Sequence, residues 1–171
     1  MINQITAGAN APDKINVIIE ISANSPPVKY EHNKELDILQ LDRFVGTNMT
    51  YPFNYGYIPG TLAQDGDPLD ALVITPYPLI PLCLAEVIPL GMLNMTDESG
   101  LDEKVVCIPT EKKCGLYSQI KSLNDLPKLL IDQIEHFFRN YKALEPNKWV
   151  KISGWEDQNT AKNIIKKYIK N

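Results

Sequence analysis

Asp65-Gly66-Asp67-Pro68-Leu69-Asp70-Ala71-Leu72-Val73-Ile74-Thr75 is the stretch around which this 171-residue chain is organised. Gly66 and Pro68 make the first six residues a turn, and that turn carries three carboxylates. The five residues after it are an apolar run of strand length. Carboxylates crowded this way repel one another and raise each other's pKa unless a cation neutralises them. Oxygen-only ligands select hard ions such as Mg²⁺, Mn²⁺ or Ca²⁺. The spacing is not that of an EF-hand, because Leu69, Asp70 and Pro76 stand where that loop needs a fifth ligand, a glycine and a bidentate glutamate.

Taken alone, the turn could equally be a solvated acidic loop. A second acidic group, Asp97, Glu98 and Asp102, shifts the balance, since it falls between a strand ending near Met95 and one starting near Lys104. Two acidic turns at strand ends can face one cleft. Two or more metal ions shared between them, about 3.5–4 Å apart, would lower the pKa of a bridging water and clamp the oxygens of an in-line displacement. Asp67 is the carboxylate most readily left free of metal to act as a base.

Strands are expected at residues 15–21, 28–32, 39–45, 71–75, 83–89, 91–95 and 104–108, separated by Gly, Pro and Asp clusters. In the first, Glu20 falls on the less apolar face. In the third, Arg43 is in register with Leu39, Leu41 and Val45, so it points where they point, and an inward arginine needs an anion. Helical spacing follows in Leu126, Leu130, Ile134, Phe137, Phe138 and Tyr141, with Asn124 or Asp125 as cap and Pro127 in the first turn. A second helix is expected over 159–169. This rhythm suggests a small barrel with C-terminal helices, an α+β and mainly β arrangement. The apolar stretch 78–93 is too interrupted by Pro81, Glu86, Pro89 and Gly91 to span a membrane.

Lys29, Arg43, Lys104 and Lys142, with Tyr51, Tyr55 and Tyr141, complete the chemistry. Each alone would ordinarily be solvated or core, Arg43 excepted. Beside two acidic turns they suit a compact, multiply charged anion, and phosphoryl transfer needs little beyond positioning and charge neutralisation. His32 and His136 do not pair at catalytic spacing and read as surface or interface residues. No phosphate-binding Gly-Lys loop and no serine elbow is present.

The formal charge of −4, from 17 basic and 21 acidic residues, opposes a main task of gripping nucleic acid or an anionic membrane. A hydrophobic content of 44% is enough for one packed core, so residues 1–171 are read as a single domain. Cys83, Cys107 and Cys114 have no zinc or redox spacing and read as reduced, mostly buried thiols. The start lacks a basic segment followed by an apolar run, which points to the cytoplasm.

Beyond the acidic turn, the chain contains Val17-Ile18-Ile19-Glu20-Ile21, Lys29-Tyr30-Glu31, Asp42-Arg43-Phe44 and Tyr51-Pro52-Phe53-Asn54-Tyr55-Gly56-Tyr57-Ile58. Further on come Thr75-Pro76-Tyr77-Pro78, Met95-Thr96-Asp97-Glu98, His136-Phe137-Phe138 and Tyr141-Lys142. With Asp65–Asp70, these resemble the family I soluble inorganic pyrophosphatases, over residues 15–160. The resemblance implies an oligonucleotide-binding-like, five-stranded β-barrel with flanking helices, and Mg²⁺-dependent hydrolysis of pyrophosphate to two orthophosphates. It assigns Asp65, Asp70, Asp97 and Asp102 to several metal ions, for which Mn²⁺ or Zn²⁺ could substitute. It assigns Asp67 to the proton of a metal-bridging water, with direct attack by metal-bound hydroxide and no phosphoenzyme. Lys29, Arg43, Tyr55, Lys104, Tyr141 and Lys142 would bind phosphate oxygens, and Glu20, Glu31 and Tyr51 would order water and orient the ligands.

The resemblance also implies a homohexamer with the His136 helix at subunit contacts. Asn140 and Ala143 stand where many relatives carry another His and an Asp, so ionic contacts there are weakened. Three other functions compete with pyrophosphate hydrolysis: hydrolysis of a nucleotide or polyphosphate, single-stranded nucleic-acid binding by a barrel, and a structural metal-binding module. The first wants a base-stacking wall, which the sequence does not display, and the second is opposed by the charge.

Overall fold

A computed structural model describes residues 2–170. Its strands are β1 (Ile15–Ile21), β2 (Val28–Asn33), β3 (Ile38–Phe44), β4 (Asn54–Tyr57), β5 (Asp70–Val73), β6 (Leu84–Asp97), β7 (Gly100–Leu101), β8 (Lys104–Pro109) and β9 (Val150–Asp157). The α-helices are α1 (Lys128–Asn140) and α2 (Gln158–Tyr168). β1, β4, β5, β8 and β6 are hydrogen-bonded in that order, and β6 pairs back onto β1 from Ile15↔Val87 to Ile18↔Leu84. Five strands thus close into a ring, which is the expected small barrel. Only β5–β8 is parallel in it. β2 and β3 form a separate two-stranded sheet, and β7 and β9 extend the far end of β6.

The continuous apolar runs of β5 and β8 follow from burial on both faces. Leu72, Val106 and Ile108 join one cluster with Tyr51, Phe53, Tyr55 and the α1 residues Ile134, Phe137, Phe138 and Tyr141. Ala71, Val73, Val105 and Cys107 join the other with Val17, Ile19 and the α2 residues Ile165 and Tyr168. One helix therefore covers each side. Among the described residues no helix is long and apolar enough to cross a membrane.

Several expectations change. Residues 83–89 and 91–95 are not two strands but parts of β6, whose register slips between Pro89 and Gly91 where proline has no N–H to give the ladder. β4 was not anticipated, because an interior glycine and a length of four residues hide it from propensity, nor was β9, which also has an interior glycine, Gly154. Helix α1 begins at Lys128, with Pro127 at its cap position and no side-chain cap; Asp125 instead closes a capping box with Ser122 on the short 3-10 turn Leu123–Asp125. Glu20 is buried, as is Ile18, since β1 is covered on both faces. Of the cysteines, which are all free, Cys107 is buried while Cys83 and Cys114 are half-buried. Helix α2 starts one residue early, its first turn capped by the Asp157 carboxylate, which accepts the Thr160 N–H at 2.8 Å.

Gly56 faces β1 where the register slips between Ile19 and Ile21, and a Cβ on it would sit 1.9 Å from the Ile18 carbonyl oxygen. Gly56→Ala is expected to destabilise the fold by about 3 kcal/mol, read as a lowered urea midpoint, because a backbone atom cannot swing aside. An unchanged midpoint would mean that β1 and β4 part freely.

Candidate active site

Parallel pairing sets Asp70 beside Lys104, and Asp102 lies two residues before Lys104 on the same side of its strand. The Lys104 ammonium is buried and donates to both carboxylates, reaching Asp102 at 2.5 Å. It also lies 5.6 Å from the Tyr55 ring centre and 5.8 Å from that of Phe138. Burial works to discharge Lys104, but Asp70 and Asp102 outweigh it and hold the ammonium charged. Asp102 is pushed up by burial and by Asp70 and Asp97, against the pull of Lys104. Tyr55 donates its hydroxyl to Asp70 at 2.6 Å, and burial followed by the Asp70 charge keeps that phenol protonated.

The second acidic turn is a tight hairpin between β6 and β7, in which Asp97 accepts the Ser99 N–H at 2.7 Å. Its other oxygen accepts from Lys142, which follows α1, at 2.6 Å. Glu98 beside it accepts from Lys148 at 2.5 Å; burial opposes ionisation, but that bond and backbone donors lower Glu98 to about 2. The Asp65 carboxylate accepts the Asp67 N–H at 3.0 Å, while Gly66 takes φ +94°, a left-handed conformation natural to glycine. Asp67 projects with its side chain 78% exposed, 3.6 Å from Lys34.

The hairpin β2–β3 brings Lys29 opposite Arg43. Lys29 pairs with Glu31 and, at 3.5 Å, with Asp42, while Arg43 contacts Asp42 at 2.5 Å and Glu145 at 3.1 Å. Arg43 does turn to the cleft, as its parity predicts, although Leu41 on the same face remains half exposed.

Asp65, Asp67, Asp70, Asp97, Asp102, Lys29, Arg43, Lys104, Lys142 and Tyr55 converge on one cavity of about 290 Å³, which Glu20, Glu31, Tyr51 and Tyr141 also line. Every candidate site residue from the sequence therefore lines the same cavity. Tyr51 and Tyr141 are driven well above the usual phenol range, first by burial. The sequence reading missed Lys34, Tyr57 and Lys148, which also line the cavity, and it misread His32. Far from lying on the surface, His32 is buried against Tyr57 and Glu20, because β2 folds back over β1. Its place on a strand beside Tyr30 and Glu31 was the available signal.

The donor set is all carboxylate oxygen, with no thiol or imidazole among the acidic groups, and fits a hard divalent ion better than a soft one. Among the described residues no three such groups already converge as a cage. Lys104 and Lys142 instead take oxygens of Asp70, Asp102 and Asp97, serving as the counter-charges that crowded carboxylates need.

Known proteins resemble this chain in sequence and fold. The family model described as inorganic pyrophosphatase matches residues 17–171. The chain belongs to the inorganic pyrophosphatase family. The inorganic pyrophosphatase of Pseudomonas aeruginosa is 51% identical over 167 residues, covering 98% of this chain and 95% of that one. The structure of the inorganic pyrophosphatase of Coxiella burnetii superposes with a TM-score of 0.94 at 53% identity, covering 96% and 98% of the two chains. That from Thermus thermophilus gives 0.93 at 39% identity, covering 98% and 96%. The oligonucleotide-binding-like barrel expected from the resemblance is thus the fold of this pyrophosphatase-family chain.

Glu20 is the wall carboxylate most altered by the fold: burial pushes it up to about 8 from 4.5, with Asp70 and Glu31 adding to the shift and the His32 N–H opposing it. Between those two values the unfolded chain has released a proton that the native protein keeps. In EDTA, stability should therefore fall as pH rises from 4.5 to 8, by at most about 5 kcal/mol. Glu20→Gln should flatten that fall in urea melts across the range. An equally steep fall in the variant would place the titration elsewhere.

Proposed function

We propose that this protein is an Mg²⁺-dependent inorganic diphosphatase that hydrolyses pyrophosphate to two orthophosphates by direct attack of water, without a phosphoenzyme. The observation that carries this reading is the convergence of Asp65, Asp67, Asp70, Asp97 and Asp102 with Lys29, Arg43, Lys104 and Lys142 on one cavity. Asp65, Asp70, Asp97 and Asp102 would hold several Mg²⁺ ions, with Mn²⁺ or Zn²⁺ as substitutes, which supply charge neutralisation and a more acidic water.

Asp67 stands at the exposed mouth of the acidic loop and accepts the proton of the attacking water. Lys104, kept charged by its two aspartates, stabilises the developing charge on a phosphoryl oxygen. Lys29, Arg43 and Lys142 clamp the remaining oxygens. Tyr55 and Tyr141 are kept protonated by burial; Tyr141 donates to the departing phosphate, and Tyr55 does so by turning its one proton from Asp70 to the phosphate. Glu20, Glu31 and Tyr51 order water and orient the ligands. We further propose that residues 1–171 act as one cytoplasmic domain in a homohexamer. Leu129, two turns before His136 on α1, and Leu144, beyond the end of that helix, are exposed and support such an assembly.

Orthophosphate release from pyrophosphate, with Mg²⁺ and with EDTA and with ATP and polyphosphate in parallel, tests the reading. Fast, Mg²⁺-dependent release from pyrophosphate alone is expected. Preference for ATP or polyphosphate would move the substrate class, and no release from folded protein would overturn the activity. Asp67→Asn should lose roughly 10²–10⁴-fold in kcat while binding metal nearly as the wild type does; normal turnover would remove Asp67 from the mechanism.

A further inference from the structure

His32 is a buried residue at the cavity to which this mechanism gives no role. Its side chain is wholly buried and stacks on Tyr57, with ring centres 6.0 Å apart and planes 6° from parallel. Three segments reach it. From β1, Glu20 accepts the His32 backbone N–H at 2.6 Å. From the turn between β2 and β3, an Asp37 oxygen lies 3.1 Å from Nε2, and from β4 the Tyr57 hydroxyl lies 2.7 Å from Nδ1.

An ionised carboxylate can only accept, so the Asp37 contact requires the imidazole proton on Nε2. Neutral imidazole then has a lone pair at Nδ1, and the Tyr57 O–H must donate to it. The phenol proton is thereby drawn away from the cavity, and the Tyr57 oxygen keeps lone pairs for whatever lies there. Asp37 is itself held, because its second oxygen accepts the Ile2 N–H at 3.3 Å. Tyr57 sits directly across from Asp70 in the β4–β5 ladder and lines the cavity with Glu20 and Asp67.

We propose that His32 is a positioning residue for the hydrolytic site: with its tautomer set by Asp37, its Nδ1 accepts the Tyr57 O–H and leaves the Tyr57 oxygen a hydrogen-bond acceptor in the cavity wall. The consequence for rate rests on the proposed hydrolysis; the hydrogen-bond chain does not. Water held through its oxygen by a cation directs its hydrogens outward, so a wall acceptor supports that water and a wall donor opposes it. Reversing the imidazole tautomer would turn the Tyr57 proton into the cavity and convert one into the other.

Asp37→Asn makes that reversal. The Ile2 N–H continues to take the side-chain oxygen, so the amide NH₂ faces Nε2 and drives the ring proton to Nδ1. Long-range ¹H–¹⁵N spectra of protein labelled at its two histidines read the tautomer directly, and the exposed His136→Gln variant assigns the signals. The expected result is an Nε2–H tautomer in the wild type and Nδ1–H in Asp37→Asn. With it, kcat for pyrophosphate should fall about tenfold with little change in KM. Tyr57→Phe should lose a comparable factor, and Asp37→Asn combined with Tyr57→Phe should lose no more than either alone. An Nδ1–H wild type that still releases orthophosphate overturns the positioning role alone, as do a tautomer reversal without effect on kcat and losses that multiply in the double variant. An Nε2–H wild type that releases no orthophosphate overturns the hydrolytic reading and, with it, the role built on that reading.

Discussion

A lysine ammonium buried between two aspartates is the interaction on which most of this molecule turns. An unpaired charge at the Lys104 position would carry a desolvation cost of several kcal/mol, and Asp70 and Asp102 offset it because strand pairing brings the first, and the residues just ahead of β8 the second, within bonding distance. Removing both partners would strand the charge. The parallel pairing of β5 with β8 is therefore both a fold constraint and a site constraint, since the same register that closes the barrel aligns Asp70 with Lys104. Tyr55 joins from the next strand, where its hydroxyl gives Asp70 a second donor.

Around this charge cluster the walls are unequal. On the α1 side, Tyr51, Phe53, Phe137, Phe138 and Tyr141 form a continuous aromatic block, with neighbouring ring centres 4.5–6.1 Å apart. Such packing fixes rotamers and excludes water, which is why its phenols stay protonated and able to donate. The opposite wall consists of turns: the acidic loop with Asp65 and Asp67, the hairpin carrying Lys29 and Arg43, and the β6–β7 turn with Asp97. On the proposed reading, the groups that meet a diffusing anion lie on these turns, while those that stabilise charge during reaction lie on packed strands.

The β2–β3 hairpin shows the cost of that division. It forms a two-stranded sheet of its own and leaves Leu36, Ile38, Leu41 and Phe44 exposed. Its attachment to the barrel passes through the His32 N–H on Glu20 and the His32–Tyr57 stack. A buried polar knot beside the turn of the hairpin thus pins its far end to the barrel, with Lys29 and Arg43 over the cavity. Its members are hydrogen-bonded on every side, as a buried polar group must be to avoid destabilising the fold.

By itself the sequence determined the kinds of groups and much of their local setting. Gly66 and Pro68 declare a turn, the alternation in β1 and β3 declares strands, and the charged and phenolic residues named from the chain all reach one cavity. Those signals are local, written in dihedral preference and in periods of two or 3.6 residues. Only the tertiary structure decided β4 and β9, whose glycines and short or mixed patterns form strands because neighbours supply the hydrogen bonds and the burial. The merging of two apparent strands into β6, the use of Asp125 on a 3-10 turn and the burial of Glu20 and His32 were decided in the same way. Burial and charge pairing depend on residues distant in the chain, so a one-dimensional pattern could name Lys104 and Asp70 but could not show that one is buried against the other.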